Sequence, residues 1–155
     1  MRGKAAKQRK VQPDLLYGSE VVTKLINKTM LHGKKTVAEK LVYSAMEELG
    51  KQTKENPAEA LEKALNNIKP VVEVRSRRVG GANYQVPVPV PESRQQTLAI
   101  RWLLEGVRGR KGGNFDKFLA EELLNAYKGT GTAMKKKEEV VRMAEASKAF
   151  SHFAW

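Results

Sequence analysis

The sequence contains no cysteine and only two histidines. Without cysteine the chain can form neither disulfide bonds nor thiolate-metal sites, which is typical of proteins from a reducing compartment. No segment approaches the ~20 consecutive apolar residues of a membrane-spanning helix, and the N-terminal residues lack the apolar core of a secretion signal. We therefore expect a cytoplasmic protein that contacts no membrane.

Residues that carry catalysis or bind metals are also scarce. His32 and His152 lie far apart in the sequence, and neither has a carboxylate at the spacing of a metal site. The glycine-rich segment 106–113 lacks the Walker spacing and the preceding strand of a phosphate-binding loop. The glutamate pairs at 47–48 and 121–122 point about 100° apart on a helix, so neither pair is expected to share one substrate. We predict no catalytic residue, metal, cofactor or small-molecule substrate, and hence no enzyme.

Negative charge is in short supply, because 17 acidic residues stand against 29 basic ones and give a formal net charge of +12. Residues 1–12 contain five basic and no acidic residues, and residues 13–70 contain nine and eight. Residues 71–114 contain eight and three, including seven of the ten arginines. A single basic run often forms only a solvated surface. Separate basic segments around a near-neutral body favour a polyanionic partner, and nucleic acid is the obvious one.

The length of 155 residues is that of one domain. Residues 1–12 contain little that a core could bury and are predicted to form a basic, flexible arm. Residues 13–155 are predicted to form a single, mainly α-helical domain with one protruding two-stranded β-hairpin. Apolar periodicity places about six helices, at 20–31, 37–49, 57–69, 92–108, 115–128 and 133–149.

Local signals refine two of these helices. Asn56 as a cap and Pro57 at the first helical position mark the start of the third helix. Thr36 and Glu39 have the spacing of a capping box at the start of the second. The stripe predicted to be buried in that second helix comprises Val37, Leu41, Ala45 and Leu49.

Several large side chains are assigned to packing. Met30, Met46 and Met143 lie among helical apolar residues and are predicted to fill the core. The aromatic tail at 150–155 is predicted to pack onto the helical body. Trp102 lies roughly opposite the buried stripe of its helix, where it either packs on a second face or stacks on a base.

The segment 72–90 is the most informative pattern in the sequence. Runs of β-branched residues flank Gly80-Gly81-Ala82-Asn83, which predicts a two-stranded hairpin. Prolines at 87, 89 and 91 place the missing N–H groups on one strand edge, so no third strand is expected there. The other arm carries Arg75, Arg77 and Arg78, so the hairpin is predicted to project toward an anionic partner.

Two predicted helix starts carry cations where the helix dipole disfavours them. Lys34 and Lys35 precede one helix, and Lys135, Lys136 and Lys137 occupy the first turns of another. The unfavourable interaction with the helix dipole costs about 0.3–1 kcal/mol for each charge, and solvent screening alone could make this cost tolerable. The two sites together favour phosphate docking beside free backbone N–H groups.

Three arginines seven residues apart, Arg94, Arg101 and Arg108, are predicted to form a line beside the buried face of one helix. Such lines also arise as the solvated flank of an amphipathic helix. Because this line follows the hairpin and leads to Arg110 and Lys111, we interpret hairpin, line and loop as one binding surface.

Five segments, in order along the chain, resemble the bacterial family of small-subunit ribosomal protein seven. They are Pro13-Asp14 followed by Tyr17, HGKK at 32–35 with Ala38-Glu39, EVRSRRVGGANYQVP at 73–87, RQQTLAIRW at 94–102 and RMAEASKAFSHFAW at 142–155. The resemblance covers essentially the full length.

The resemblance implies a fold of six helices with a β-ribbon and a structural, RNA-binding role in the cytoplasmic ribosome. Members of the family bind the 3′ major domain of 16S rRNA early and nucleate assembly of the small-subunit head. They lie at the subunit interface near the decoding centre, where the ribbon approaches exit-site tRNA. They contact ribosomal protein eleven of the same subunit, and some repress translation of their own operon.

Carried onto this chain, the resemblance implies two sets of contact residues. The tip facing tRNA would comprise Arg77, Arg78, Val79, Gly80, Gly81, Ala82 and Asn83. The rRNA surface would comprise Arg2, Lys4, Lys7, Arg9, Lys10, Lys34, Lys35, Arg75, Arg77, Arg78, Arg94, Arg101, Arg108, Arg110, Lys111, Lys135, Lys136, Lys137 and Arg142.

The main alternative is a general nucleic-acid-binding protein that acts on DNA as an architectural protein or a repressor. Arginine-bearing ribbons do enter DNA grooves, so composition alone leaves this alternative open. Several basic surfaces on one small domain favour folded RNA, because duplex DNA would engage one face.

Overall fold

The computed structural model of the protein describes residue 3 and residues 9–154. Within these residues the chain forms a single helical body with one β-hairpin, which confirms the predicted fold class. The α-helices are α1 (Glu20–Thr29), α2 (Lys35–Thr53), α3 (Pro57–Ile68), α4 (Glu92–Arg108), α5 (Phe115–Tyr127) and α6 (Thr132–Ala146). A 3-10 helix, Lys148–Phe153, follows α6, and the hairpin consists of β1 (Val72–Val79) and β2 (Ala82–Pro89).

The core forms around α5, which packs against α2, α3, α4 and α6. Large side chains from every one of the first five helices are fully buried there, and each contributes about 1.5–3 kcal/mol through burial. They include Leu25, Met46, Leu61, Leu103, Leu119 and Leu123. Trp102 is also buried, at 7% exposure, so it packs in the core and offers no stacking platform for a base.

Helix starts follow local capping chemistry in two cases. The side chain of Asn56 accepts a hydrogen bond from the backbone N–H of Ala58 at 3.0 Å, with Pro57 at the first position, as predicted. The Ser19 hydroxyl accepts from the N–H of Val21 at 3.2 Å and caps α1.

The predicted capping box of α2 is wrong. The helix begins at Lys35, and Lys34 occupies the cap position without a side-chain hydrogen bond. His32 and Gly33 adopt left-handed backbone conformations, with φ of 53° and 74°, and reverse the chain early. Thr36 therefore lies inside the first turn, where its hydroxyl cannot act as the cap.

The buried stripe of α2 is displaced by one residue at its start. Ala38 and Val42 are buried together with Ala45 and Leu49, whereas Val37 is 51% exposed. The small Ala38 faces the neighbouring helices, whereas hydrophobicity alone predicts that the bulkier Val37 is the buried residue. Met143 is a second incorrect core prediction, since it is 45% exposed on α6 while Met46 is buried.

The hairpin pairs β1 with β2 in antiparallel register, from Val72 opposite Pro89 to Val79 opposite Ala82. Gly80 and Gly81 form the turn with positive φ of 59° and 88°, which glycine adopts without steric cost. No third strand joins this sheet in the part of the chain that the structure describes. The hairpin tip is exposed, whereas Val86 and Val88 near its base are buried.

The C-terminal segment up to residue 154 packs mainly on the hairpin and also contacts α6, so the predicted packing on the helical body is confirmed only at α6. Residue 155 of the predicted tail lies outside the described residues. The ring centroids of Phe150 and Phe153 both lie 5.2 Å from that of Tyr84 on β2. Tyr84 offers these rings a half-buried aromatic face at a distance typical of favourable ring pairs. Because Tyr84 lies opposite Arg77, the C-terminal segment contacts the outer half of the hairpin, while α6 contacts β1.

Candidate nucleic-acid interface

Helices α1 and α4 lie side by side and are joined by polar contacts at both ends of the pair. The Lys24 ammonium donates to the side-chain oxygen of Gln96 at 2.7 Å. A terminal guanidinium nitrogen of Arg108 donates to the backbone oxygens of Lys28 and Thr29 at 3.0 and 3.3 Å. These carbonyls end α1, so Arg108 also satisfies acceptors that lack a helical partner.

A groove of about 680 Å³ separates the two helices near the start of α4. We call it the α1–α4 groove, and its cations are Lys24, Lys28 and Arg94. The sequence interpretation missed Lys24 and Lys28, because residues 13–70 are nearly neutral in total. Their spacing of four residues, which places both on one face of α1, was the signal that could have found them. Polar neutral side chains complete the lining: Asn27, Ser93, Gln96 and Thr97.

The predicted arginine line on α4 contains residues in three different situations. Arg94 pairs with Glu73, and Arg108 is bound to the end of α1. Arg101 is exposed and has no hydrogen bond or ion pair within residues 9–154. Only Arg101 therefore presents its full hydrogen-bonding capacity to a ligand.

The hairpin arginines also differ from one another. Arg75 forms an ion pair with Glu73, although its side chain remains 48% exposed. Arg78 is exposed and Arg77 is half-buried. Since Gly80 to Asn83 are exposed as well, the tip is accessible to a partner while the base is held by the protein.

Glu73 is the centre of charge at the base of the hairpin. Burial of its carboxyl disfavours the charged form, but hydrogen bonds from Arg94 and Arg75 outweigh burial and lower the pKa of Glu73 from its ordinary 4.5. One carboxylate thus partly neutralises two arginines of the predicted rRNA surface.

The start of α2 retains the features of an anion-docking site. Lys34 and Lys35 are exposed, and Lys35 lies 3.8 Å from Glu39 in an exposed ion pair of little strength. No side chain caps the first turn, so the positive end of the helix dipole faces outward beside both ammonium groups.

The start of α6 differs, because one of its N–H groups is bonded within the protein. The backbone N–H of Ala133 donates to Oε1 of Glu122 at 3.0 Å, and Glu122 is fully buried. A buried carboxylate beside this helix start disfavours a phosphate there, and phosphate docking at Lys135, Lys136 and Lys137 stays a prediction. Lys137 donates to the backbone oxygen of Asn67 at 2.6 Å and joins α6 to the end of α3.

Arg110 completes this buried site. Its two terminal nitrogens each lie 2.7 Å from a carboxylate, one from Glu121 and the other from Glu122. Within the protein these adjacent glutamates do share one partner, because the planar guanidinium fork spans both, while the prediction that they do not share a substrate is untested. Arg110 is half-buried and bound to these carboxylates, so its role is mainly structural and little of it is available to a ligand.

Most of the predicted rRNA-contact residues that the structure describes are exposed. Arg2, Lys4 and Lys7 lie outside the described residues. The side chains that are exposed comprise Arg9, Lys10, Lys34, Lys35, Arg75, Arg78, Arg94, Arg101, Arg108, Lys111, Lys135, Lys136 and Arg142. Lys24, Lys28 and Arg94 thus line the α1–α4 groove together, whereas Lys135 and Lys136 line a different cleft beside α6.

Residues 9–154 offer neither a metal site nor a membrane-spanning helix. This part of the chain contains no group of three or more side chains able to hold a metal ion. It also contains no helix that is both long enough and apolar enough to cross a bilayer.

Comparison with known proteins agrees with the basic surface. The family model described as "Ribosomal protein S7p/S5e" matches residues 1–148. The chain is 55% identical, over all 155 residues of both chains, to the small ribosomal subunit protein uS7 of Thermosipho africanus. It is 53% identical to the uS7 proteins of Petrotoga mobilis, over the full length of both, and of Treponema denticola, over 99% of both. With a family match and full-length relatives above 50% identity, this chain belongs to the ribosomal protein S7p/S5e family.

Proposed function

We propose that this protein binds the 3′ major domain of 16S rRNA directly and nucleates assembly of the small-subunit head. Membership of the family shows only a more general role. A member of this family is a structural protein of the small ribosomal subunit in the cytoplasmic ribosome, which confirms the prediction that the protein is not an enzyme.

The observation that carries the proposal is the α1–α4 groove. Its two walls bring Lys24 and Lys28 on α1 opposite Arg94 on α4, and no acidic side chain lines it. Amide and hydroxyl groups between the cations can bond phosphate, ribose or base edges. The arrangement suits an RNA backbone that runs along the groove toward Arg108 and Lys34.

Three further roles belong to the same proposal. The exposed hairpin tip, from Arg77 to Asn83, faces exit-site tRNA at the subunit interface near the decoding centre. A second surface contacts ribosomal protein eleven of the same subunit. The rRNA-binding surface also permits repression of the protein's own operon, if the messenger presents a similar RNA shape.

DNA binding is the alternative, and the distribution of charge disfavours it. Exposed cations lie on α1, at the start of α2, on the hairpin, on α4 and on α6. A folded RNA can follow several surfaces of a small domain, whereas straight duplex DNA engages one.

The test is a salt-titrated binding assay with the isolated 3′ major domain of 16S rRNA. Duplex DNA and an unrelated structured RNA serve as competitors. We expect tight binding that survives both competitors, with a slope of log affinity against log salt of roughly 0.7–0.9 for each phosphate contact. Equal displacement by either competitor would reduce the protein to a general polyanion binder.

A further inference from the structure

A cavity of about 400 Å³ lies beside the turn between α1 and α2. We call it the turn pocket. Its apolar lining consists of Leu31, Val37, Ala38, Leu41 and Phe115, contributed by the turn, by α2 and by the start of α5. The cavity is as large as common small-ligand sites.

Two of these apolar side chains are poorly covered. Leu31 is 59% exposed and Val37 is 51% exposed. A single exposed aliphatic residue is normal on a protein surface. Here both line the same cavity as Leu41 and Phe115, so they form one apolar site that solvent covers in the free protein.

The remaining lining restricts the charge of an occupant. His32, Lys34 and Arg108 line the cavity, and no carboxylate of the described residues does. The Arg108 guanidinium is held in place by the backbone oxygens of Lys28 and Thr29. An occupant that matches this pocket combines an apolar, flat part with negative charge.

The buried Thr29 side chain does not help to choose the occupant. Thr29 also lines the cavity and is only 6% exposed, and its hydroxyl oxygen is buried from solvent without a hydrogen-bond partner in the part of the chain described by the structure. An occupant of the cavity therefore does not reach this hydroxyl, and the match to a nucleotide rests on the apolar walls beside the two cations.

We propose that the turn pocket binds one unpaired, unstacked nucleotide of the bound RNA. The base lies against Leu31, Val37 and Phe115, and its phosphates contact Lys34 and Arg108. Single-stranded RNA is commonly recognised through bases that leave the stack and enter such sites. The inference rests on the proposed rRNA binding and adds a base-binding site to a surface otherwise defined by phosphate contacts.

The test uses two identical substitutions at exposed valines. Val37→Ser removes an apolar wall of the turn pocket, while Val71→Ser changes a valine that is 70% exposed and lies outside it. Because neither substitution changes charge, the salt slope is expected to stay constant in both. We expect Val37→Ser to bind the 3′ major domain roughly 5- to 30-fold more weakly, the size of one lost base contact, and Val71→Ser to bind like the unchanged protein.

Chemical probing of the RNA identifies the occupant. Dimethyl sulfate and a carbodiimide, which modify unpaired bases, are expected to find one base protected by the unchanged protein and by Val71→Ser. That base becomes reactive with Val37→Ser, while the rest of the footprint persists. Leu31→Ser serves as a second variant if urea unfolding shows that Val37→Ser is not folded.

The outcomes separate the inference from the proposed function. Failure of the unchanged protein to bind the 3′ major domain overturns the proposed function and the nucleotide site with it. Normal rRNA binding together with equal affinities for the two valine variants overturns the nucleotide site alone. Weaker binding without any newly reactive base also overturns it, because the apolar wall would then contact something other than a base.

Discussion

The Nε–H of Arg94 on α4 is shared between the two carboxylate oxygens of Glu73 on β1, at 2.9 and 2.8 Å, and so joins the hairpin to the helix that follows it. The carboxylate is buried, while Arg94 stays 45% exposed. Arg94 therefore has a structural partner on one side and an open side toward the α1–α4 groove. The position of the hairpin and the position of one groove cation depend on the same ion pair.

Replacing Glu73 with glutamine tests that dependence. The amide keeps the size of the side chain but loses the charge that attracts Arg94 and Arg75. We expect Glu73→Gln to lower the free energy of unfolding by about 1–2 kcal/mol, a modest loss because both arginines can be hydrated. Urea unfolding at pH 7 measures it. Amide exchange should rise at the base of the hairpin, and unchanged exchange there would contradict the role of the pair.

The lowered pKa of the Glu73 carboxyl predicts that the stability of the protein depends on pH. Because the folded pKa of Glu73 lies below its ordinary 4.5, its contribution to stability is complete above about pH 4.5. The contribution is lost as the pH falls through the lowered, folded pKa. We expect the difference in unfolding free energy between the unchanged protein and Glu73→Gln to be constant from pH 7 to about 5 and to shrink below that range.

This difference in unfolding free energy reports on Glu73, because the contributions of the other carboxylates are the same in both proteins and cancel. Glu47, Glu55 and Glu139 also have lowered pKa values, caused first by hydrogen bonds from lysines, but they titrate in both proteins. Urea unfolding at several pH values gives the two curves. Curves that stay parallel down to pH 3 would mean that the Glu73 carboxylate does not stabilise the fold.

Glu121 and Glu122 form a matched pair for burial. Both contact Arg110 at 2.7 Å, but their side-chain exposures are 60% and 0%. We expect Glu122→Ala to cost about 1–3 kcal/mol, because it leaves the buried N–H of Ala133 without a partner and leaves Arg110 with only the exposed Glu121. Glu121→Ala should cost less than about 1 kcal/mol. Urea unfolding compares them, and equal losses would contradict the assignment of Glu122 as the internal cap of α6.

The helices that the sequence predicted best are those with local signals at their ends. Pro57 starts α3 and Glu92 starts α4, as predicted, and Asn56 acts as the cap. A capping side chain and a proline act within one turn, so a short window of sequence contains the information. The start of α2 was wrong because the backbone conformations of His32 and Gly33 decide it, and the hydrophobic pattern does not report them.

The polar contacts of the interface could not be predicted, because they join distant parts of the chain. Glu73 and Arg94 are 21 residues apart, and Arg108 binds the end of α1 across 80 residues. The sequence marked the basic residues as candidates but could not separate Arg110, which is engaged with Glu122, from Arg101, which is not. That separation requires the packing of α4, α5 and α6.

Arg101 and Arg108 lie on the same helix, and substituting each of them distinguishes a contribution to rRNA binding from a contribution to stability. Arg108 donates to two backbone oxygens at the end of α1, whereas Arg101 has no partner within residues 9–154. We expect Arg101→Ala to leave the free energy of unfolding unchanged and to reduce the salt slope of rRNA binding by roughly 0.7–0.9. Arg108→Ala should reduce the slope similarly and also lower the free energy of unfolding by about 0.5–1.5 kcal/mol.

The control for both arginines is Lys51→Ala on α2, which removes one positive charge from an exposed pair with Glu47. Lys51 lines a groove that also contains Glu47, Glu48, Asp116 and Glu121, an acidic surface that repels RNA. Its replacement should therefore change neither the salt slope nor the affinity by more than the error of the assay. A slope that falls equally for Lys51→Ala and Arg101→Ala would show that net charge governs binding, and that the line on α4 makes no direct phosphate contact.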